Sequence, residues 1–521
     1  MDSSIRQWWQ QNRGGPDQEC RRFSPEDLAD RKPRLYLLGL NGLAAIGHVF
    51  LFGLPLLTLG LGVFLASRLL SPAIAWSSPL TLATGASTLV LAWACWELWQ
   101  LRPSQPQGVE IEANDAPQLH AMVGRRVKKF QARKIHRVLL TRDATIQVVT
   151  TPANGFLSHH HNSLCLGVPL LHFLGRKQLR VALHCAIGQH ARFLDPHLGR
   201  LVQLREDWHA CSQALEAHRT PGAWLLRGFA AWYNPLLQRY TVAAARQHAL
   251  QHDQYAIELV KDIEVLAMIA AEEVCAAYLE KCFWPLLMKT ADRQPNPTIR
   301  PFANFEPIVR STLQQQDAER WLVKALTAFE QADNPRPILS QRLDTLGYAQ
   351  LHFFSLPVDG AIHAMLGRKQ HELLQELDKQ WRSEIHPLWR ARHQAFRDEK
   401  ARFDTLHERF EANLLEGPAA FAYARLVSKY LTAEQCIRIY TTLLERDQDN
   451  PEVLFEMGKL LLDQGEVGGA RAIELAIGLD KSYVGRASAA LSEFTARRKL
   501  GLERPVARVQ RDTAAARIHA A

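Results

Sequence analysis

The sequence predicts a mainly α-helical protein with a small β-sheet, an α+β arrangement carrying two transmembrane helices and a set of C-terminal helical repeats. Three observations predict it. Two long runs before residue 102 are almost free of charge. Between residues 136 and 166, apolar and polar residues alternate with the period of β-strands. Most of the chain beyond that stretch follows helical spacing. The 521 residues carry a net charge of +9, and the apolar and charged fractions are those of folded domains. The basic residues are dispersed, with no aromatic-interleaved basic block, so a nucleic-acid partner is not expected. The eight cysteines form no CxxC pair or disulfide-like ladder, which suits a reducing compartment.

Residues 1–34 are polar and basic, with Arg6, Arg13, Arg21, Arg22, Arg31, Lys32 and Arg34 ahead of any hydrophobic run. The apolar run starts too late and is too long for a signal peptide. Leu35 to Ala66 has no Asp, Glu, Lys or Arg, which exceeds the roughly 20 residues that span a bilayer. Pro79 to Leu101 is charge-free except for Glu97, and Trp93, Trp96 and Trp99 near its end suit a membrane–water interface. Residues 35–101 therefore read as a transmembrane hairpin. Basic residues are dense before it and recur after it at Arg102, Arg125, Arg126, Lys128 and Lys129. The positive-inside rule then puts the N-terminus and the C-terminal domains in the cytoplasm.

After the Pro-containing linker 102–108, Ala116 to Lys129 reads as an amphipathic helix. His136 to Leu140, Thr145 to Thr151 and Ser163 to Leu166 read as strands. Pro169 to Leu174 is a short helix, followed by a buried one over Leu179 to Arg192 (LRVALHCAIGQHAR). Trp208 to Ala217 and Trp224 to Ala267 are expected as long helices. His371 to Arg409 is charged enough to form long exposed helices packed as a hairpin, with 391–416 serving as a charged connector. In Asn450 to Ser482, Gly458, Leu461 and Ala470 fall where a tetratricopeptide helix pair needs small or apolar residues. Residues 417–500 thus read as tetratricopeptide-like repeats, and the Ala- and Arg-rich tail 501–521 as frayed.

Several segments between 109 and 390 recur in a familiar order. They are Asn114 to Leu119 (NDAPQL), Gln147 to Leu171 (QVVTTPANGFLSHHHNSLCLGVPLL), the helix 179–190, Arg205 with Trp208, Arg246 to Asp253 (RQHALQHD) and Asn334 to Gly347 (NPRPILSQRLDTLG). In this order they resemble the HtpX-like membrane zinc metallopeptidases. The resemblance implies a zincin-like domain with a substrate-binding edge strand, a bacterial inner-membrane location and a role in protein quality control. It also locates the departures. In H-E-x-x-H, two histidines four apart on one helix face hold zinc and the glutamate acts as general base. Here the family's first ligand becomes Cys185, its glutamate Ala186 and its second histidine Gln189. The third ligand becomes Ala249, and only the last aspartate of the E-x-x-A-D element is kept, as Asp253.

A catalytic zinc needs three protein ligands and an open position, and loss of the base alone costs about 10² to 10⁴ in rate. The expectation is therefore a pseudopeptidase with no cofactor, binding polypeptide through its edge strand and protein partners through its repeats. The alternatives are an active zinc endopeptidase with a moved metal site and a structural membrane scaffold. The candidate for a moved site is His248 and His252, four apart on one helix face, with Cys185 or His190. His248 and His252 otherwise read as polar residues on a half-exposed helix, and the run His159, His160, His161 as a solvated turn. Cys185 has His184 beside it in sequence, which on a helix points elsewhere and makes a poor base partner. No P-loop, dinucleotide fingerprint or serine-nucleophile elbow is present.

Overall fold

A computed structural model describes residues 29, 31–70, 79–152, 160–188, 196–216, 218–259, 262–328, 334–348, 354–415 and 418–499. Most of the basic N-terminal segment, His159, Gln189, His190 and the tail 501–521 lie outside the described residues. The chain divides into two compact units. The first takes the described residues up to Lys289 with 297–386; the second takes 290–296 with 387 onward.

The first unit opens with α1 (Pro33–Leu70) and α2 (Pro79–Gln100), both long and apolar enough to cross a membrane. Then come β1 (Val109–Glu110), α3 (Pro117–Phe130), β2 (Arg137–Thr141), β3 (Ile146–Pro152) and β4 (His160–Gly167). The four strands form one sheet in the order β1-β2-β4-β3. The β2–β4 pair is parallel, whereas β1 and β3 join antiparallel at the two edges. His160 and His161 belong to β4 rather than to a solvated turn. His160 pairs opposite Pro152 in the ladder and its Nε2 lies 3.1 Å from Asp207 Oδ2, while the His161 ring packs edge-on to His136.

Helices complete the unit. α4 (Val168–Phe173) is buried throughout. α5 (Arg176–Gly188) follows, its first turn capped by Gln178 Oε1 accepting from Gly175 N at 2.6 Å. The expected long helix after Trp224 is broken into α7 (Pro221–Tyr240), α8 (Val242–Leu259) and α9 (Asp262–Tyr278), with α6 (Pro196–Glu216) before them. Thr220 caps α7 by accepting from Ala223 N, with Pro221 in the first turn. α10 (Trp284–Ala291), α11 (Phe305–Thr312), α12 (Gln315–Leu326), α13 (Leu339–Thr345) and α14 (Ala361–Leu366) are shorter.

The apolar hairpin is built into this unit. Leu51, Leu54 and Ala94 share a core with Trp208, Leu226, Tyr233 and Leu237 of α6 and α7. Tyr233 Oη donates to Leu43 O at 3.0 Å, and Tyr36 Oη to Tyr240 O at 2.7 Å. The buried Glu97, the lone acid in α2, accepts from Thr220 Oγ1 at 2.7 Å and Trp93 Nε1 at 3.2 Å, with His218 Nδ1 3.2 Å away. A Cβ at Gly222 would lie 2.8 Å from the backbone of Trp93 and Ala94, so α7 approaches α2 this closely only because its second residue has no side chain.

The second unit contains much of α15 (Gln370–Glu411), then α16 (Pro418–Tyr430), α17 (Ala433–Arg446), α18 (Pro451–Asp463), α19 (Gly468–Leu479) and α20 (Val484–Lys499). Residues 371–409 lie in one continuous helix, not in a hairpin. The stretch 391–416 is also more than a charged connector. Phe403, Leu406 and Leu415 enter the core with Tyr423, Val427 and Tyr440, because an apolar stripe at helical spacing runs among its charges. α18 and α19 cross where Gly458 meets Gly469: a Cβ on Gly458 would stand 2.7 Å from both Gly469 O and Ile473 Cγ1. The Glu452 carboxylate is fully buried. Arg425 donates to it at 2.7 and 2.9 Å, and Tyr483 and Arg486 also donate. Burial alone pushes this carboxyl up, but the hydrogen bonds from Arg425, Tyr483 and Arg486 outweigh it and hold the group at about 2.

Two outcomes follow for the second unit. Gly458→Val is expected to destabilise it by about 2 kcal/mol or more through overpacking, read as an earlier unfolding step in denaturant. Glu452, depressed below the ordinary value of about 4.3, contributes stability that is present above that pH and lost as the pH falls toward 2. Glu452→Gln should therefore remove about 2 kcal/mol at pH 7, after discounting for the exposed arginines, and flatten the acid limb of the stability curve.

Candidate functional site

The residues that the sequence singles out lie on α5, α8 and α13, which pack together with α9. α5 contributes Cys185 and Ala186. α8 contributes Arg246, His248, Ala249, His252 and Asp253, and α13 contributes Arg342. Two contacts lock α8 to the segment 334–347. Arg246 Nε donates to Asn334 O at 2.8 Å. Arg342 grips Asp253 with two parallel bonds, Nε to Oδ2 at 2.7 Å and Nη2 to Oδ1 at 3.0 Å. This bidentate geometry is the strong form of the pair. Arg342 Nη1 also reaches Glu272 Oε2 of α9 at 3.3 Å.

Asp253 is 5% exposed, so its charge needs a partner. Burial opposes the Arg342 charge, but the attraction and hydrogen bonds of Asp253, followed by Glu272, raise its pKa well above the usual value. Glu272 is shifted up by burial, with Arg342 pulling the other way. Asp253, the aspartate kept in the 246–253 segment, holds the guanidinium of a segment 89 positions away.

Cys185 turns toward this cluster. Burial raises its thiol pKa, the Asp253 and Glu272 charges raise it further, and Arg342 only partly offsets them. The sulfur stays protonated and is a poor nucleophile. His184 points to another side, its Nδ1 3.0 Å from Arg126 Nε and its ring edge-on to Phe130, so it gives Cys185 no base.

His248 and His252 are 9% and 5% exposed, more deeply set than a half-exposed helix face implies, because α8 is covered by neighbouring helices. Their rings lie against each other, centroids 4.3 Å apart, and His248 Nε2 borders Gly199 of α6. Among the described residues, neither histidine nor Cys185 joins a set of three donors within 4.8 Å of one another; His172, Glu306 and His363 form such a set. The surroundings of Cys185 do not fit a catalytic zinc. Ala186 and Ala249 offer no donor, and Asp253 already faces a fixed cation. Gln189 and His190 lie outside the described residues.

Glu272 and the His172–Glu306–His363 set are absent from the sequence reading. Glu272 sits in an unremarkable helical stretch (AAEEVCAA), and the three donors are spread over α4, α11 and α14 with no short spacing to mark them. Burial lowers the His172 pKa to about 4, partly opposed by Glu306. Burial also works against the charged form of Glu306, but hydrogen bonds from His363 and Arg310 hold its pKa below the ordinary value.

Replacing Arg342 should expose how much rests on it. Arg342→Met leaves Asp253 and Glu272 facing each other without their cation and is expected to cost about 3–5 kcal/mol, measured by denaturant unfolding in detergent. The double variant Arg342→Met/Asp253→Leu should recover a large part of that loss. No family model matches the chain, and no curated protein or solved structure matches it.

Proposed function

We propose that the chain is a membrane-anchored pseudopeptidase of the HtpX-like type, one that holds extended polypeptide without hydrolysing it. The observation that carries the reading is the ion pair of Arg342 with Asp253 beside Cys185. Where the family resemblance calls for zinc ligands and a general base, this chain has Cys185, Ala186, Gln189 and Ala249, and the charged group beside Cys185 is a guanidinium. A guanidinium has no open coordination position and cannot lower the pKa of a bound water as zinc does.

Retention of binding is supported by β3. It is the longer of the two antiparallel edge strands, paired with β4 on one side and flanked by α5. Strand addition needs only backbone groups on such an edge. α1 and α2 supply the membrane anchor, with both chain ends on the cytoplasmic side of a bacterial inner membrane. The helix pairs of the second unit, read as tetratricopeptide-like, supply a further surface for protein partners.

The test uses full-length protein in detergent and fluorescent reduced casein. A photo-crosslinking residue at Gln147 is expected to capture casein, and no casein fragments should appear with or without added zinc. Fragments that form with zinc and vanish with a chelator would overturn the proposal.

A further inference from the structure

We propose that His172, Glu306 and His363 form a binding site for a divalent transition-metal ion, zinc foremost, separate from the Cys185 cluster. The three residues come from α4, α11 and α14, and one donor atom from each lies within 4.8 Å of the others. His363 Nε2 is 2.8 Å from Glu306 Oε2, and His172 Nδ1 is 3.9 Å from the same oxygen. Two imidazoles and one carboxylate are the donors zinc takes in sites that keep a position open for water. They suit other borderline divalent ions less selectively.

Two further observations point to a ligand. The first is His172 itself, which is 6% exposed. Its Nε2 is buried without a hydrogen-bond partner, and its Nδ1 is too far from the carboxylate for a hydrogen bond. An imidazole buried with one nitrogen unpartnered and the other beyond hydrogen-bond reach of the carboxylate it faces is costly unless something binds it. The second is His363, whose nitrogens both face oxygen acceptors, Nδ1 at 3.0 Å from Gln370 Oε1 and Nε2 at 2.8 Å from Glu306 Oε2. A neutral imidazole has one N–H and cannot donate to both. Without an ion, Nε2 donates to Glu306; when a cation binds, the proton moves to Nδ1 toward Gln370, and the Nε2 lone pair and the carboxylate oxygen are free to converge on the ion.

The surroundings match such a site. Gln370 fixes the His363 ring, and Arg310 holds the other oxygen of Glu306 at 3.0 Å while donating to Pro357 O at 3.2 Å. Outer hydrogen bonds of this kind orient metal ligands. Glu306 and His363 are partly open to solvent, at 30% and 44% side-chain exposure, which gives an ion a way in and leaves room for a water ligand. Bound there, the ion ties α4, which leads into α5, to α11 and α14.

The test is zinc binding by the full-length protein in detergent, stripped with a chelator and then dialysed against Zn²⁺. About one zinc ion per chain is expected by elemental analysis, together with a rise in thermal midpoint. Glu306→Gln and His363→Ala change partly exposed side chains on different helices. Each should weaken zinc binding about 100-fold or more and abolish the zinc-dependent rise, while the metal-free midpoint stays near that of the parent. His248→Ala and His252→Ala should leave the stoichiometry unchanged. No zinc above the stripped control, or zinc retained in Glu306→Gln and His363→Ala, would overturn the proposal. So would zinc lost from a folded His248→Ala protein.

Discussion

A guanidinium lodged between two carboxylates ties together three helices of the first unit. Arg342 meets Asp253 edge to edge and reaches Glu272, so one side chain joins α13 to α8 and α9. Ionised groups at this depth are tolerated only when paired and hydrogen-bonded. The pairing also sets the chemistry nearby. Burial raises the Cys185 thiol pKa, and the charges of the same two carboxylates raise it further. In the proposed reading, the ligand and base positions have become Cys185, Ala186, Gln189 and Ala249, and hydrolysis is lost while the packing persists.

The apolar hairpin depends on the rest of the first unit in a comparable way. Glu97 would be expensive in a lipid-facing position, and instead its carboxylate is taken up by Thr220 at the start of α7 and by Trp93 of α2 itself. Tyr233 and Tyr36 bond to and from α1. α7 also leaves Trp224 and Trp232 exposed on the unit that carries the hairpin's outward-facing leucines and tryptophans. Tryptophans of this kind favour a membrane–water boundary, so membrane depth and helix packing would be set by the same residues.

Features governed by short-range periodicity were legible from the chain. The two nearly uncharged runs are helices of spanning length, and the alternating stretches are strands, β2 and β3 within one residue of where the pattern puts them and β4 starting three residues earlier. The close packing at Gly458 follows from its lack of a side chain, although its counterpart Gly469 went unnoticed because a glycine pair carries no period. Local pattern misled where long-range packing decides. The polar look of His160 and His161 suggested a turn, yet their backbone completes the β4 ladder. Charges along 391–416 concealed Phe403, Leu406 and Leu415.

The candidate site was legible in its parts and not in its pairing. Cys185, Ala249 and Asp253 were identified as altered or kept positions, but Arg342 lies 89 residues beyond Asp253 and Glu272 belongs to no motif. The same reason hides His172, Glu306 and His363, whose closeness exists only after folding. The central claim is that no divalent ion is held between α5 and α8. It is tested most directly by titrating zinc calorimetrically into the His363→Ala/Glu306→Gln double variant, which lacks the separate histidine–carboxylate set. The account predicts no stoichiometric binding there, whereas one equivalent of zinc that disappears when Cys185 or His252 is also replaced would contradict it.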